Sequence, residues 1–309
     1  MGTIIEVKNI VKRYDDIPVV NNLSFSVNEG EIFGFLGPNG AGKSTSINIM
    51  VGLLKANEGE ILINNLPLSE LEKKLIGICP QEITLWEYLT CYENLMMMGK
   101  MYNVSSKELK ERIPLILEKL FLKDKMDEKI SNLSGGMKRR MNIAMATIHN
   151  PKIIVLDEPS EGLDPQSRRL LWDYIKYQKK IGNTIILTTH LMDEADKLSD
   201  RIAIIDYGKL LKLDTPENLK KSIGEGDIVE FEVDTINDNI EKRLESIDEI
   251  KSIVISDNKI TIRLLNSISK LQYILRILEE ENLRIKDISI RQNTLEDVFI
   301  ELTGRTLRE

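Results

Sequence analysis

The stretch Gly37-Pro38-Asn39-Gly40-Ala41-Gly42-Lys43-Ser44 decides the fold of the first part of this 309-residue chain. It follows a short apolar run, Glu31 to Leu36, and precedes a predicted helix from about Ser44 to Leu54. Glycines let the backbone curl until several N–H groups point at one centre, and a helix N-terminus adds the positive end of its dipole. The spacing G-x-x-x-x-G-K-[ST], between a strand and a helix, therefore predicts a loop that binds phosphate groups.

Two side chains of this loop suit the chemistry of a bound nucleotide. Lys43 is placed to reach the β and γ phosphates, and the Ser44 hydroxyl is placed to ligate Mg²⁺. At average glycine usage the pattern arises by accident in about one chain in a hundred of this length. The strand before the loop and the helix after it make an accidental match rarer still.

A second stretch, Ile153 to Glu158, is an apolar strand that ends in two carboxylates. In a parallel sheet such a strand delivers its last residues to the edge where ligands bind. Asp157 then suits the outer shell of a metal ion, and Glu158 suits the polarisation of an attacking water. Taken alone, a solvated acidic strand end is the better interpretation; the phosphate loop elsewhere in the chain favours the catalytic one.

The remaining pattern up to about residue 222 indicates an α/β domain. Strands are predicted at Ile4 to Ile10 and across Leu23 to Val27, and the segment from Thr84 to His149 is mostly helical. Short apolar strands return at 153–156, 184–189 and 202–205, and Asp164 followed by Pro165 favours the start of a helix between them. Alternation of buried strands with helices predicts a mostly parallel sheet covered by helices, and the helical segment predicts a helical subdomain at about 82–150.

The pattern changes near Thr215-Pro216, and a smaller domain is predicted after a boundary at Ser222 to Gly226. Its elements are strands at 228–233, 250–255, 259–264 and 285–290, helices near 240–247 and 268–278, and a final helix with Leu295, Val298, Phe299 and Leu302 on one stripe. The second and third strands are joined through Asp257-Asn258. The order βαββαβ is that of a ferredoxin-like α+β fold. The predicted domains are thus 1–222 and 227–309.

Composition limits the function classes. The net charge is −7 and no basic tract stands out, so nucleic acid is not an expected partner. Cys79 and Cys91 are interpreted as free thiols in a reducing cytosol. The N-terminal residues form no uninterrupted signal-peptide core, and no apolar run approaches the roughly 18 to 20 residues of a spanning helix. We therefore expect a cytoplasmic protein that does not cross a membrane by itself.

Five further features carry a family resemblance. Leu133-Ser134-Gly135-Gly136-Met137 resembles the signature sequence of ABC ATPases, in which serine and two glycines open a helix toward a γ-phosphate. The other four follow in order along the chain. Tyr14 resembles the aromatic residue that stacks on adenine, and Gln81 resembles the glutamine that touches Mg²⁺ and the nucleophilic water. Ser160 to Asp164 resembles the loop that communicates across the dimer, and His190 resembles the histidine that contacts the γ-phosphate. Taken separately, each has an ordinary interpretation: Tyr14 as a surface aromatic residue, Gln81 as a polar residue of a loop, and His190 as a histidine at the end of a strand. Together with the phosphate loop and the Asp157-Glu158 strand, they are similar to an ABC ATPase. The resemblance implies that the mostly parallel sheet is accompanied by an antiparallel β-subdomain.

The resemblance assigns roles to individual positions. It implies catalytic roles for Glu158, His190 and Gln81, and Mg²⁺ binding by Ser44, Gln81 and, through water, Asp157. It implies ATP binding by Tyr14, Gly37, Pro38, Asn39, Gly40, Ala41, Gly42, Lys43, Ser44, Thr45, Ser134, Gly135, Gly136 and Asp164.

The resemblance also implies how such a chain works. ABC ATPases bind ATP between the phosphate loop of one subunit and the signature of another, in a head-to-tail dimer. Hydrolysis removes the γ-phosphate that links the halves, and the movement passes to an integral-membrane permease through the helical region. This implies a peripheral position on the inner face of the cell membrane and a partner that is a second copy or a different ATPase subunit. Trp86, Tyr88 and Tyr92 are candidates for permease contact, although ordinary packing explains them equally well.

The resemblance narrows to one type. Cys79 to Glu82, Leu133 to Arg140, and Leu295 to Phe299 with Leu302 to Arg305 are similar to daunorubicin-resistance ATP-binding proteins, which serve exporters and carry a small C-terminal domain. A rival hypothesis is a soluble ABC ATPase that acts on ribosomes or DNA. Relatives of those kinds usually carry two cassettes per chain or a long coiled coil within the cassette, and this acidic chain shows neither.

Overall fold

The computed structural model describes residues 2–70, 73–224, 226–237, 239–245, 247–256, 258–265 and 267–304. The chain forms two compact units, of which the first runs to Pro216 and the second starts at Glu217. Within the described ranges, no helix combines the length and the apolar character that crossing a lipid bilayer requires.

The sequence predicts the domain boundary at Ser222 to Gly226, and the division between the two units lies a few residues earlier. Glu225, within the predicted boundary, lies outside the described residues. The short helix before this interval belongs with the second unit. There the side-chain amide of Asn293 donates hydrogen bonds to the carbonyls of Lys220 at 3.0 Å and Gly224 at 2.7 Å. These long-range bonds, which sequence periodicity does not reveal, place that helix in the second unit.

The described residues of the first unit form ten strands. They are β1 (Thr3–Tyr14), β2 (Ile17–Asn28), β3 (Ile32–Leu36), β4 (Glu58–Ile63), β5 (Leu66–Pro67), β6 (Ile76–Cys79), β7 (Ile153–Asp157), β8 (Thr184–Thr189), β9 (Arg201–Asp206) and β10 (Lys209–Asp214). A six-stranded sheet has the order β10-β9-β3-β8-β7-β6, and all its neighbours are parallel except β9 with β10. A separate antiparallel sheet has the order β2-β1-β4-β5. The predicted mostly parallel sheet and antiparallel subdomain are both confirmed.

Both faces of the six-stranded sheet are covered, which is why every residue of β3, β7 and β8 is buried. Along β7 the side chains alternate between two cores. Ile154 and Leu156 pack in the cluster that includes the helical residues Leu95 and Leu171, whereas Ile153 and Val155 pack with the antiparallel sheet. The parallel strands are therefore held from both sides, and their carboxyl ends are fixed at one edge.

Alongside short 3-10 turns, the described part of the first unit has six α-helices. They are α1 (Lys43–Met50), α2 (Cys91–Met101), α3 (Ser106–Lys119), α4 (Gly135–Thr147), α5 (Pro165–Lys180) and α6 (Met192–Leu198). Helices α2, α3 and α4 occupy the predicted helical segment, and Thr90 begins α2 with a capping box to Glu93. Helix α1 ends earlier than the predicted Leu54, because the chain turns at Gly52 with φ +78°.

The second unit has the predicted ferredoxin-like topology. Its elements are α7 (Pro216–Lys221), β11 (Asp227–Val233), α8 (Ile240–Glu245), β12 (Ile250–Ser256), β13 (Lys259–Leu264), α9 (Ser267–Glu280), β14 (Ile285–Arg291) and α10 (Leu295–Thr303). The sheet is antiparallel with the order β12-β13-β11-β14, which confirms the split βαβ arrangement. Asp257 of the predicted turn and Arg305 of the closing motif lie outside the described residues.

Candidate active site

The phosphate loop joins the end of β3 to the start of α1, and its glycines are required by its geometry. A Cβ atom on Gly37 would lie 2.3 Å from the carbonyl oxygen of Ile205. Gly42 has φ +95°, and a Cβ atom there would lie 2.5 Å from the carbonyl oxygen of Val19. Both obstacles are backbone atoms, so a side chain at either glycine would displace the loop itself.

Lys43 is buried in the centre of this loop. Its ammonium group donates hydrogen bonds to the carbonyls of Gly37 at 2.8 Å and Pro38 at 3.2 Å, and lies 3.1 Å from Glu158 Oε1. Both ion-pair side chains are 5% exposed. The positive charge is thus held at the inner surface of the loop, with a carboxylate as its counter-ion.

Glu158, directly after β7, occupies a sparsely populated backbone conformation. Its φ is +47°, in the left-handed region that residues with a Cβ atom rarely adopt. Such a conformation costs about 1–3 kcal/mol and persists only where the surroundings enforce it. Here the Glu158 N–H donates to the Thr188 hydroxyl at 3.0 Å and the Thr188 carbonyl at 3.2 Å. The strain aims the carboxylate at the phosphate loop.

The carboxylate of Glu158 also reaches His190, which follows β8. His190 Nδ1 lies 2.7 Å from Glu158 Oε2, while the other carboxylate oxygen faces Lys43. Glu158 therefore bridges the lysine of the phosphate loop and the histidine of a neighbouring strand. All three predicted residues lie together at the carboxyl edge of the parallel sheet.

Asp157 adds oxygen atoms beside this group. One of its carboxylate oxygens accepts a hydrogen bond from the Ser44 hydroxyl at 3.3 Å and another from the Thr188 hydroxyl. Hydroxyl and carboxylate oxygens are ligands that Mg²⁺ prefers, and this ion is usually held by one or two carboxylates together with substrate phosphates. In the described part of the chain, no group of three or more His, Cys, Asp or Glu side chains forms a cage of its own. The donors fit an Mg²⁺ ion that arrives with a nucleotide.

Gln81 lies apart from the Lys43–Glu158–His190 group in its hydrogen bonding. Its side-chain amide donates to Glu161 Oε2 at 2.8 Å, and both residues are exposed. Tyr14 is 48% exposed, with the Lys12 ammonium 5.2 Å from its ring centroid. A half-exposed aromatic ring of this kind is able to stack on a base.

The signature residues lie at the start of α4 and pack beside α5. The exposed Ser134 accepts a hydrogen bond from the Met137 N–H at 3.3 Å, and a Cβ atom on Gly136 would lie 2.9 Å from Ser167 Oγ. Asp164 caps α5, and hydrogen bonds from Ser167 hold the pKa of this carboxyl below its ordinary 3.8. Within the described residues, no side-chain hydrogen bond or ion pair joins the signature to the Lys43–Glu158–His190 group. One chain thus presents two separate groups of predicted site residues.

Arg139 is a residue whose importance the sequence did not reveal. It is 4% exposed and donates to the carbonyls of Pro80 at 3.0 Å, Gln81 at 2.6 Å, Asp157 at 2.8 Å and Pro159 at 2.9 Å. It therefore fixes the segment that carries Gln81 against the strand end that carries Asp157. In the sequence, the charged run Lys138-Arg139-Arg140 is typical of a solvent-exposed helix face. The structure shows that Arg139 is buried instead.

Comparison with known proteins agrees with this geometry. The family model described as ABC transporter matches residues 20–161, and the model described as the C-terminal domain of DrrA1-3-like ATP-binding proteins matches residues 215–303. The chain is 36% identical to the linearmycin resistance ATP-binding protein LnrL of Bacillus subtilis, over 99% of this chain and all of the relative. It is 37% identical to the Nod factor export ATP-binding protein I of Sinorhizobium fredii, over 99% of this chain and 87% of that protein.

Solved structures give the same relationship. The ATP-binding cassette MJ0796, in a dimeric post-hydrolysis state bound to ADP and phosphate, superposes with a TM-score of 0.62 and 28% identity, over 68% of this chain and 98% of that one. The ADP form of the cassette MJ1267 gives a TM-score of 0.63 at 28% identity, over 73% of this chain and 100% of that one. The phosphate loop, the paired carboxylates and the full-length similarity to LnrL lead to one conclusion: this chain belongs to the family of ABC transporter ATP-binding proteins.

Proposed function

We propose that this chain hydrolyses ATP with Mg²⁺ and uses the hydrolysis cycle to drive export through a separate membrane-spanning permease. The observation that carries the proposal is the position of the Glu158 carboxylate, 3.1 Å from Lys43 Nζ and 2.7 Å from His190 Nδ1, beside the phosphate loop. The names of the relatives, linearmycin resistance and Nod factor export, support export as the direction.

Binding begins with an exchange of partners at Lys43. Its ammonium contacts two loop carbonyls and Glu158, and the β and γ phosphates of ATP replace the carboxylate as its counter-ion. The N–H groups at the start of α1 add further donors to the phosphates. Glu158 Oε1 is released by this exchange while His190 still holds the other oxygen.

The released carboxylate then acts on water. Glu158 orients the attacking water and accepts its proton, and His190 donates a hydrogen bond to the γ-phosphate. Bound Mg²⁺ would offset charge on the β and γ oxygens, and Ser44, Gln81 and, through water, Asp157 would hold it. For that role Gln81 must exchange its present partner Glu161 for the metal and its water.

Ser134 and Gly135 are exposed at the N-terminus of α4, where backbone N–H groups have no partner within the helix. We propose that this surface completes the ATP site of a second ATPase subunit, which in turn completes the site of this one. Asp164 lies on the same surface because Gly136 packs on Ser167 of the helix that Asp164 caps. ATP thereby joins two subunits that separate after hydrolysis.

The helical subdomain offers a surface for the permease. Tyr88 is 88% exposed, whereas Trp86 and Tyr92 pack against the core of the first unit. Of the three aromatic candidates, we assign permease contact to Tyr88 and ordinary packing to the other two. We propose accordingly that the protein lies on the inner face of the cell membrane, bound to an integral-membrane partner.

The test is the variant Glu158→Gln. We expect it to bind ATP, to lose phosphate release by at least about 100-fold, and to accumulate as a dimer with MgATP in size-exclusion chromatography. Glu82→Gln, a nearby exposed carboxylate, is the matched control and should turn over normally. Phosphate release by Glu158→Gln at the wild-type rate would refute the assignment.

A second experiment tests the transport assignment. The tagged chain is purified from detergent-solubilised native membranes, and its companions are identified by mass spectrometry. We expect one strongly hydrophobic protein to copurify, in amounts that fall when Tyr88 is replaced by Glu. Salt-resistant sedimentation with ribosomes, in place of a membrane protein, would contradict it.

A further inference from the structure

A buried carboxyl group that the chemistry above does not use lies on α6. Glu194 is 0% exposed. Its Oε1 accepts a hydrogen bond from the indole N–H of Trp172 at 2.9 Å and another from the Ser160 hydroxyl. The same indole N–H also lies 3.2 Å from Ser160 Oγ. The three side chains form a closed triangle, which we call the Glu194 triangle.

Each corner of the Glu194 triangle belongs to a different segment of the site. Ser160 begins the loop that ends at Asp164, Trp172 lies on α5, and Glu194 follows His190 by four residues. Ser160 is 0% exposed and Trp172 is 8% exposed. The triangle is therefore a buried connection between the Ser160–Asp164 loop and the segment that carries His190.

This connection closes a ring around the site. Glu158 contacts His190 directly at 2.7 Å, and the chain from Glu158 reaches Ser160 after one intervening residue. Ser160 contacts Glu194. Glu194 lies on α6, which begins two residues after His190. Of the other loop residues, Glu161, Gly162 and Asp164 are exposed and Leu163 is buried. The Glu194 carboxyl thus holds the first residue of the loop to the segment that carries His190.

Burial raises the pKa of Glu194, and the hydrogen bonds from Ser160 and Trp172 oppose that shift. A raised pKa favours the neutral acid, which still accepts both hydrogen bonds at Oε1. Glutamine has the same shape and also accepts at that position, so it is a close mimic of the neutral acid. Alanine removes the acceptor and leaves the Ser160 hydroxyl and the Trp172 indole without it.

We propose that Glu194 is a positioning residue that holds the Ser160–Asp164 loop in register with His190, so that contact of His190 with ATP sets the conformation of the loop that faces the second subunit. The inference rests on the proposed function, because it uses His190 as the group that meets the γ-phosphate. It adds that Glu194, through Ser160, acts on turnover and on pairing of subunits rather than on binding of ATP to one subunit.

The experiment compares Glu194→Ala, Glu194→Gln and the neighbouring exposed control Asp193→Asn. We expect Glu194→Ala to lower kcat by about 10- to 100-fold, as expected for displaced catalytic geometry, and to weaken MgATP-dependent dimerisation. ATP affinity of the monomer should change by less than about threefold. Glu194→Gln should retain at least about a third of wild-type kcat, and Asp193→Asn should behave as wild type. The proposal would be overturned if Glu194→Ala lost kcat and ATP affinity to the same extent. It would also be overturned if Glu194→Gln had a kcat as low as that of Glu194→Ala.

A readout that does not depend on activity comes from Trp172. In a Trp86→Phe background Trp172 is the single tryptophan of the chain, so its emission reports on the Glu194 triangle. Glu194→Ala should shift that emission, and Glu194→Gln should leave it near the parent spectrum. An unshifted spectrum for Glu194→Ala would contradict the contact itself.

Ser160→Ala is a second variant that keeps the test decisive if Glu194→Ala does not fold. It removes the other end of the same contact and should reproduce the loss of kcat with unchanged ATP affinity; normal turnover would overturn the proposal. If Glu158→Gln also hydrolyses ATP normally, the proposed function has failed. If Glu158→Gln is inactive while Glu194→Ala and Ser160→Ala turn over like wild type, only the role of Glu194 has failed.

Discussion

Lys43 Nζ lies 3.1 Å from Glu158 Oε1, and both side chains are 5% exposed. The cation of the phosphate loop is thus neutralised by the carboxylate proposed to act on water. The pair keeps two buried charges compensated, and in the proposed cycle a triphosphate replaces the carboxylate. Removal of one member of a buried pair leaves the other uncompensated, which is why the pair has consequences for stability as well as for binding.

The first prediction concerns that ion pair. Lys43→Met should lower the free energy of unfolding of the nucleotide-free protein by about 3 kcal/mol, because Glu158 stays buried without its cation. The double variant Lys43→Met/Glu158→Gln should recover most of this loss, because neither charge remains. Urea unfolding of both variants measures the effect, and Lys8→Met, which breaks an exposed pair with Glu6, is the control. Equal effects of Lys43→Met and Lys8→Met would contradict the prediction.

The second prediction separates two kinds of glycine. Gly37→Ala should abolish ATP binding, because its Cβ atom would meet the Ile205 carbonyl at 2.3 Å and push the loop aside. At Gly135, the first residue of α4, a Cβ atom meets nothing within 4 Å. Gly135→Ala should therefore fold normally and gain up to about 1 kcal/mol of stability from its helical position.

For Gly135→Ala we expect intact ATP binding by the monomer but weaker MgATP-dependent dimerisation, because the added methyl group covers the surface assigned to the second subunit. Isothermal titration calorimetry and size-exclusion chromatography measure the two properties separately. Dimerisation equal to that of the wild type would remove Gly135 from the proposed interface.

The third prediction concerns Arg139. Arg139→Met should lower the free energy of unfolding by about 3 kcal/mol, because several buried carbonyls lose a charged donor. Since Arg139 joins the Gln81 segment to the end of β7, kcat should fall as well. Lys138→Met is the adjacent control, since Lys138 pairs with the exposed Glu87 and should change both quantities little. A variant as stable as that control would show that the carbonyls find other donors.

The fourth prediction is a pH dependence that follows from Glu194. Its pKa in the folded protein is raised from the ordinary 4.5 by burial. As pH rises above 4.5, the unfolded chain loses this proton first, so the unfolded state binds fewer protons and the wild type loses stability until the folded pKa is passed. Glu194→Gln has no such proton.

The difference in unfolding free energy between Glu194→Gln and the wild type should therefore increase with pH across this window. Urea unfolding at several pH values from 4.5 upward measures it, with Asp193→Asn as the control, since Asp193 is exposed. If the difference in unfolding free energy did not change with pH, the pKa of Glu194 would be the same in the folded and the unfolded protein, and the prediction would be wrong.

Much of the fold was predictable because its signals are local. The phosphate loop, the strand before Asp157 and the cap at Asp164 each depend on a few adjacent residues, and the structure has β3, β7 and α5 at these places. The βαββαβ order of the second unit is likewise confirmed by its sheet. Strands β4 and β5 were not predicted, because their short segments carry polar residues and an Asn64-Asn65 turn rather than a clear alternation.

The sequence by itself determined which chemical groups this protein has and the order in which they occur, because glycine spacing, apolar runs and caps act on neighbouring residues. Only the tertiary structure decided that Glu158 stands between Lys43 and His190, that Arg139 is buried among carbonyls, and that Glu194 meets Ser160 and Trp172. The physical reason is that these partners are far apart along the chain, and their distances are set by the order of strands in the sheet and by the helices packed on it.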